Sequence, residues 1–198
     1  MRNNCAIKLN YVNKIWIYSK LVASMLVDVS KLASLQTRRS GVIPYTIFSG
    51  HVYFLLGKDS AYGDLTDFGG QRNRFESAFA TALREFEEET NGLLRPVPID
   101  IDKSYGLIDG SMKKMAIVFV PIPPVWISRA PASFERRKLL APDDKHREID
   151  SLVWMSSEEL FETINENSDS KIWSKVRKFL KENQNILKEV VKGILVSP

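Results

Sequence analysis

The chain has one cysteine, Cys5, in 198 residues. A single thiol excludes an internal disulfide and any zinc site built on a cysteine cluster, and it fits a reducing compartment. Long apolar runs are also missing. The most apolar N-terminal run, Ile15 to Val27, is broken by Lys20 and is too short to span a bilayer. Arg2 followed by that run imitates a secretion signal, but no small-residue cleavage site follows it, so neither a leader nor a membrane role is expected. Internal repeats and low-complexity stretches are absent. Charge is not lopsided either. The net +4 is a mild excess that suits anionic ligands and does not by itself establish nucleic-acid binding. At 44% hydrophobic and 26% charged, the composition is that of an ordinary globular chain able to bury a core.

What is present is concentrated in Gly69 to Gly92, which reads GGQRNRFESAFATALREFEEETNG. A glycine pair opens it and Asn91-Gly92 closes it. Ser77 to Glu89 holds good helix formers with no Pro or Gly. Glu85, Glu88 and Glu89 are spaced i, i+3, i+4 and so share one face, while Phe79, Leu83 and Phe86 form an apolar stripe facing elsewhere. Three like charges on one face repel, and a divalent cation among them relieves the repulsion. Hard ions such as Mg²⁺ prefer carboxylate oxygens and bind substrate phosphates as well. A lone run of acids is usually a solvated face; here the glycine pair, Glu76 and Arg84 stand in register with it.

This stretch resembles the Nudix box. Gly70, Glu76, Arg84, Glu85, Phe86, Glu88 and Glu89 fall where the family pattern has them, and Asn91 stands where the family has Gly. That departure is mild, because a helix C-cap needs a left-handed residue and Asn is the next best after Gly. The resemblance implies an α/β fold: a Nudix-type α/β/α sandwich around a mixed sheet. Residues 38–165 would form this domain, residues 1–37 an N-terminal extension, and 166–198 a long C-terminal amphipathic helix packed on it. It implies metal-dependent hydrolysis of the pyrophosphate linkage in a nucleoside diphosphate derivative, with Mg²⁺ or Mn²⁺ as cofactor. By resemblance, Glu88 and Glu89 are metal ligands and Glu85 is a ligand or the base. The Gly69 carbonyl is an extra ligand, Glu76 assists the metal shell, and Arg84 holds the carboxylates. A further acid is expected from later in the chain, with Glu148 first and Asp144 second.

The linked moiety stays open among dinucleoside polyphosphates, nucleotide sugars, diphosphoinositol phosphates and capped RNA. The absence of Pro between Ile99 and Val120 weakens an ADP-ribose assignment, and the missing cysteine cluster is unlike many NADH-cleaving members. The alternative is a Nudix-fold module that binds nucleotides without catalysis. A cytoplasmic protein is expected, and a homodimer stays open.

The flanking sequence reads as strands at Arg38–Ile47, His51–Gly57, Ile101–Leu107, Lys114–Pro121 and Glu148–Met155, with turns at Ser49-Gly50 and Asp109-Gly110. Lys58 to Phe68 reads as a loop in which Asp67 caps, and His51 as a solvated turn residue. Leu21 to Leu32 has approximate helical spacing. Residues 122–147 read as a long basic segment, either a solvated loop or a grip for substrate phosphates. Arg136, Arg137 and Lys138 are its phosphate-binding candidates, and Phe134 is a candidate to stack on a base. Lys171 to Leu195 reads as one amphipathic helix with its lysines mostly outside the apolar face, a pattern used for domain packing more often than for membranes or RNA.

Overall fold

In the computed structural model, the described residues are 24–27, 29–94, 100, 103–109, 114–140, 148–166 and 170–196. The apolar runs of the sequence form the centre of an eight-stranded sheet. Strand β2 (Arg39–Phe48) runs parallel to β7 (Met115–Pro121) on one side. On its other side, the first half of β2 pairs with β5 (Phe68–Gln71) and the second half with β3 (His51–Asp59), both antiparallel. Outward from β7 lie β6 (Tyr105–Asp109) and then β1 (Ser24–Val27). Outward from β3 lie the short β4 (Leu65–Thr66) and β8 (Ile149–Ser156). One parallel pair among antiparallel ones makes the sheet mixed.

Both faces of the sheet are covered, which is why β3 and β7 read as unbroken apolar runs. Successive side chains alternate between two cores. Ile117 and Phe119 enter one, Ala116 and Val118 the other. The first face is covered by α4 (Ser157–Asn165), α5 (Ser174–Glu182) and α6 (Gln184–Val196), through residues such as Leu160, Val176, Leu180, Leu187 and Ile194. The second is covered by α1 (Val29–Leu32), α2 (Ala78–Glu89) and α3 (Trp126–Lys138), through Leu32, Ala82, Phe86, Ala130 and Phe134. The result is an α/β/α layered fold with a mixed sheet.

Several expectations are corrected. Within the described part of Leu21 to Leu32, residues 24–27 are a strand and only Val29–Leu32 is helical, because β1 completes the edge of β6. Part of 122–147 is a helix, not a loop: α3 continues through Pro131, and Phe134 and Ala130 anchor it against the sheet. The Lys58–Phe68 loop holds the two-residue strand β4. Within the described part of Ile101–Leu107, the strand starts at Tyr105 and runs on to Asp109. The single C-terminal helix is two, broken at Asn183, whose side chain turns back to donate to the Phe179 carbonyl at 2.7 Å. The Asn3–Asn13 start, Cys5, Gly110 and Asp144 lie outside the described residues.

Candidate active site

Helix α2 is capped by Ser77, whose hydroxyl accepts from the Ala80 amide at 3.1 Å. Its end turns through Asn91 and Gly92, with φ of +52° and +63°. The Asn91 amide donates to Glu88 O, and the Gly92 amide to Glu87 O at 2.8 Å, closing the last turn. Asn91 thus adopts the left-handed conformation for which glycine would stand there.

The face of α2 that meets the sheet is not the stripe of Phe79, Leu83 and Phe86. The buried residues are Ala78, Thr81, Ala82, Phe86 and Glu89. Small alanines let the helix lie close to β2 and β5, and Phe86 packs on Phe68 with ring centroids 5.5 Å apart. Glu89 continues this buried row, so its carboxylate enters the protein while Glu85 and Glu88 stay half-buried.

There Glu89 meets the glycine pair. Its Oε2 accepts from the Gly69 amide at 2.9 Å. The other side of that residue is held as well, because the Gly69 carbonyl accepts from Arg39 Nη2 at 2.8 Å. Arg39 in turn grips Asp67, which is fully buried. Gly70 permits the close approach: a Cβ there would fall 2.5 Å from the Glu85 carboxylate.

Arg84 ties the acids together from the solvent side. It donates to Glu76 through Nε at 2.8 Å, and its Nη1 pairs with Glu85 at 2.7 Å and Glu88 at 3.2 Å. Its Nη2 reaches the Gln71 carbonyl. Glu76 also accepts from the Asn73 amide and the Thr81 hydroxyl, so Arg84 and these donors hold its carboxyl down at about 2.

Glu85 and Glu89 are shifted the other way. Burial raises Glu85, with Arg84 opposing and the charges of Glu88 and Glu148 adding to the rise. Burial raises Glu89 far more, and Asp67, Glu85 and Glu148 push in the same direction while Arg39 opposes them. Glu148, exposed at the start of β8, therefore faces this cluster closely enough to repel two of its members. Among the described residues no three His, Cys, Asp or Glu side chains are gathered at metal-binding spacing; Arg84 lies among the acids instead.

The basic residues of α3 lie elsewhere in part. Arg137 donates to the Asn91 carbonyl at 2.9 Å, just past the end of α2, and Lys138 pairs with Asp150 at 2.7 Å. Arg136 is exposed. Phe134 is fully buried, so the expectation that it stacks on a base is overturned. His51 is largely exposed and lies 3.8 Å from Glu158. The sequence reading missed Arg39 altogether, and took Asp67 for a loop cap when it is the buried partner of Arg39. Their separation of 28 residues leaves no local spacing signal; only the pairing of β2 with β5 brings them together.

Fold and site define a class: a three-layer α/β protein with a carboxylate-bearing helix docked on a glycine-containing strand. No protein-family model matches the chain, and no curated protein does. Solved structures are similar to it. An Ap4A hydrolase of C. elegans, in a binary complex, matches with a TM-score of 0.47 and 19% identity over 76% of this chain and 98% of that one. A MutT/nudix family protein from Enterococcus faecalis matches with a TM-score of 0.47 and 12% identity, covering 99% and 81%. The Bacillus subtilis pyrophosphohydrolase matches with a TM-score of 0.43 and 18% identity over 82% and 90%. Proteins described as Nudix recur among the matches.

Proposed function

We propose that this chain is a Nudix-type hydrolase that cleaves the pyrophosphate linkage of a nucleoside diphosphate derivative with the help of Mg²⁺ or Mn²⁺. The observation that carries the reading is the junction of the glycine strand with the acidic helix end. Glu89 holds the Gly69 amide, Gly70 admits Glu85, and Arg84 binds Glu76, Glu85 and Glu88. Box residues spread over two elements thus act on one another in space.

In chemistry, though not in their spacing here, these donors suit a hard cation. Glu85, Glu88, Glu89, Glu148 and the Gly69 carbonyl offer only oxygens. Glu89 is buried and feels the charges of Asp67, Glu85 and Glu148 against that of Arg39, which pairs with Asp67; a cation would balance the negative charge that remains. Glu76, saturated by Arg84, Asn73 and Thr81, supports this set by holding Arg84. When bound, such a cation supplies neutralisation of diphosphate oxygens and a more acidic water. Glu85, whose raised pKa suits a base, takes the proton as the water oxygen attacks phosphorus and the anhydride P–O bond breaks. Arg136, Arg137 and Lys138 are proposed to contact substrate phosphates. Arg136 and Arg137 are both exposed, and Arg137 and Lys138 also hold Asn91 and Asp150. The single cysteine, Cys5, supports a cytoplasmic setting as part of the same proposal.

The test is a panel of dinucleoside polyphosphates, nucleotide sugars, diphosphoinositol phosphates and capped RNA, with Mg²⁺ or Mn²⁺ and products read by mass. Release of a nucleoside monophosphate and a phosphorylated remainder is expected from the nucleotide-linked members. Tight nucleotide binding with no phosphate release from any member would identify a binding module instead.

A further inference from the structure

The charge of this chain is unevenly spread. Residues 171–182 carry five basic side chains against one acid, an excess equal to the net +4 of the whole chain. On α5 the buried positions are Val176, Phe179 and Leu180. Lys175, Lys178 and Lys181, spaced i, i+3, i+6, are exposed on the opposite side, and a shallow groove runs along Ser174, Arg177, Lys178, Lys181 and Glu182, the one acid there, which lies 3.9 Å from Lys178. Just before the helix stands Trp173, half-buried. Its ring carries the Lys175 ammonium at 5.1 Å and the Arg39 guanidinium at 5.0 Å from its centroid. Arg39 is the residue that holds the Gly69 carbonyl. The tryptophan therefore joins the lysine face to the candidate active site. The segment is fixed there, because the Leu65 amide donates to Lys171 O and the Trp173 amide to Leu65 O.

We propose that Trp173 and the exposed face of α5 bind single-stranded RNA, and that the strand's 5′ polyphosphate end enters the active site. A row of lysines following an aromatic ring is the combination that tracks a flexible phosphate backbone and stacks its bases. A duplex would require a broader face than one short helix. A membrane surface is the weaker occupant, since Val176, Phe179 and Leu180 of α5 are buried against the sheet, and of the large apolar side chains described on α5 and α6 only Leu195 is exposed. RNA is also the nucleic acid whose unprocessed 5′ end carries a pyrophosphate linkage, so the inference rests on the hydrolase reading for its substrate and on the lysine face for its strand.

The experiment uses the full chain and a labelled 5′-hydroxyl oligouridylate, which has no linkage to cleave, with binding read by fluorescence anisotropy over a salt series. The parent should bind. The variant with Lys175, Lys178 and Lys181 all replaced by Gln should bind about tenfold or more weakly at low salt. Its log Kd against log salt should flatten by about 2, near 0.7 per lost phosphate contact. Replacing the same three lysines by Arg should retain binding, and an unchanged melting temperature in both variants would show that the fold is intact. No binding by the parent, equal binding by the Gln variant, or binding to phosphatidylserine vesicles in place of the oligomer overturns the proposal. If the parent binds the oligomer as predicted but hydrolyses no pyrophosphate substrate, the RNA surface stands and the hydrolase reading falls.

Discussion

Arg39 and Asp67, 28 residues apart, meet through two hydrogen bonds of 2.7 Å each. Asp67 has no exposed surface, and Arg39 is the cation facing it. Burial opposes the charge on Arg39, but Asp67, together with Glu89 and Glu85, more than offsets it. Arg39→Met should therefore strand a buried carboxylate and cost about 3 to 5 kcal/mol of stability. Urea unfolding would measure it. A loss under 1 kcal/mol would mean that the pair is dispensable.

Glu89 gives a pH prediction. Its folded pKa is raised, so the neutral form suits the fold. The associated stability is fully present below the unfolded value of 4.5 and is lost as pH rises through the folded value. In EDTA, the melting temperature should fall from pH 5 to pH 8, and Mg²⁺ should restore more at pH 8 than at pH 5. Glu89→Gln should flatten both trends. Glu76, held at about 2, works in the opposite sense and lends stability above 4.5 that is lost on acidification toward 2. An unchanged pH profile in Glu89→Gln would contradict the charge crowding described here.

Asn91 tests the cap. With φ at +52°, Asn91→Gly should be neutral or slightly stabilising, whereas Asn91→Ala should cost about 1 kcal/mol for a left-handed Cβ. Thermal melts of the two variants decide it; equal melting temperatures would mean the left-handed turn carries no strain.

Phe134→Ala should cost about 3 to 5 kcal/mol, as expected for a fully buried aromatic. At temperatures where the variant remains folded, KM for accepted substrates should stay within about twofold of the parent, because a buried ring touches no base. A large rise in KM with stability preserved would restore the stacking role.

The parts of this molecule that the sequence discloses are those governed by local rules. The box helix, the Asn91 turn and the doubly buried strands follow from spacing and propensity. What stayed hidden depends on tertiary placement. Glu89 shares a sequence face with Glu85 and Glu88, yet it falls on the row of Ala78, Ala82 and Phe86 because the alanines, not Phe79 and Leu83, face the sheet. Phe134 sits in a basic segment whose composition suggests a loop, and only the core contact shows it as an anchor. Arg39 had no local signal, since strand pairing alone brings it to Asp67.

The central claim is that the box carboxylates drive metal-assisted cleavage of a pyrophosphate linkage, and Glu88→Gln tests it most directly. Glu88 is half-buried and is bound to Arg84 at 3.2 Å, so the amide should fit without disturbing the fold. Turnover of whichever panel substrate the parent accepts would be measured with saturating Mg²⁺, beside a melting curve. The account predicts a fall of about a thousandfold, the equivalent of about 4 kcal/mol of lost transition-state stabilisation, with the melting temperature unchanged. Turnover at the parent rate would contradict it.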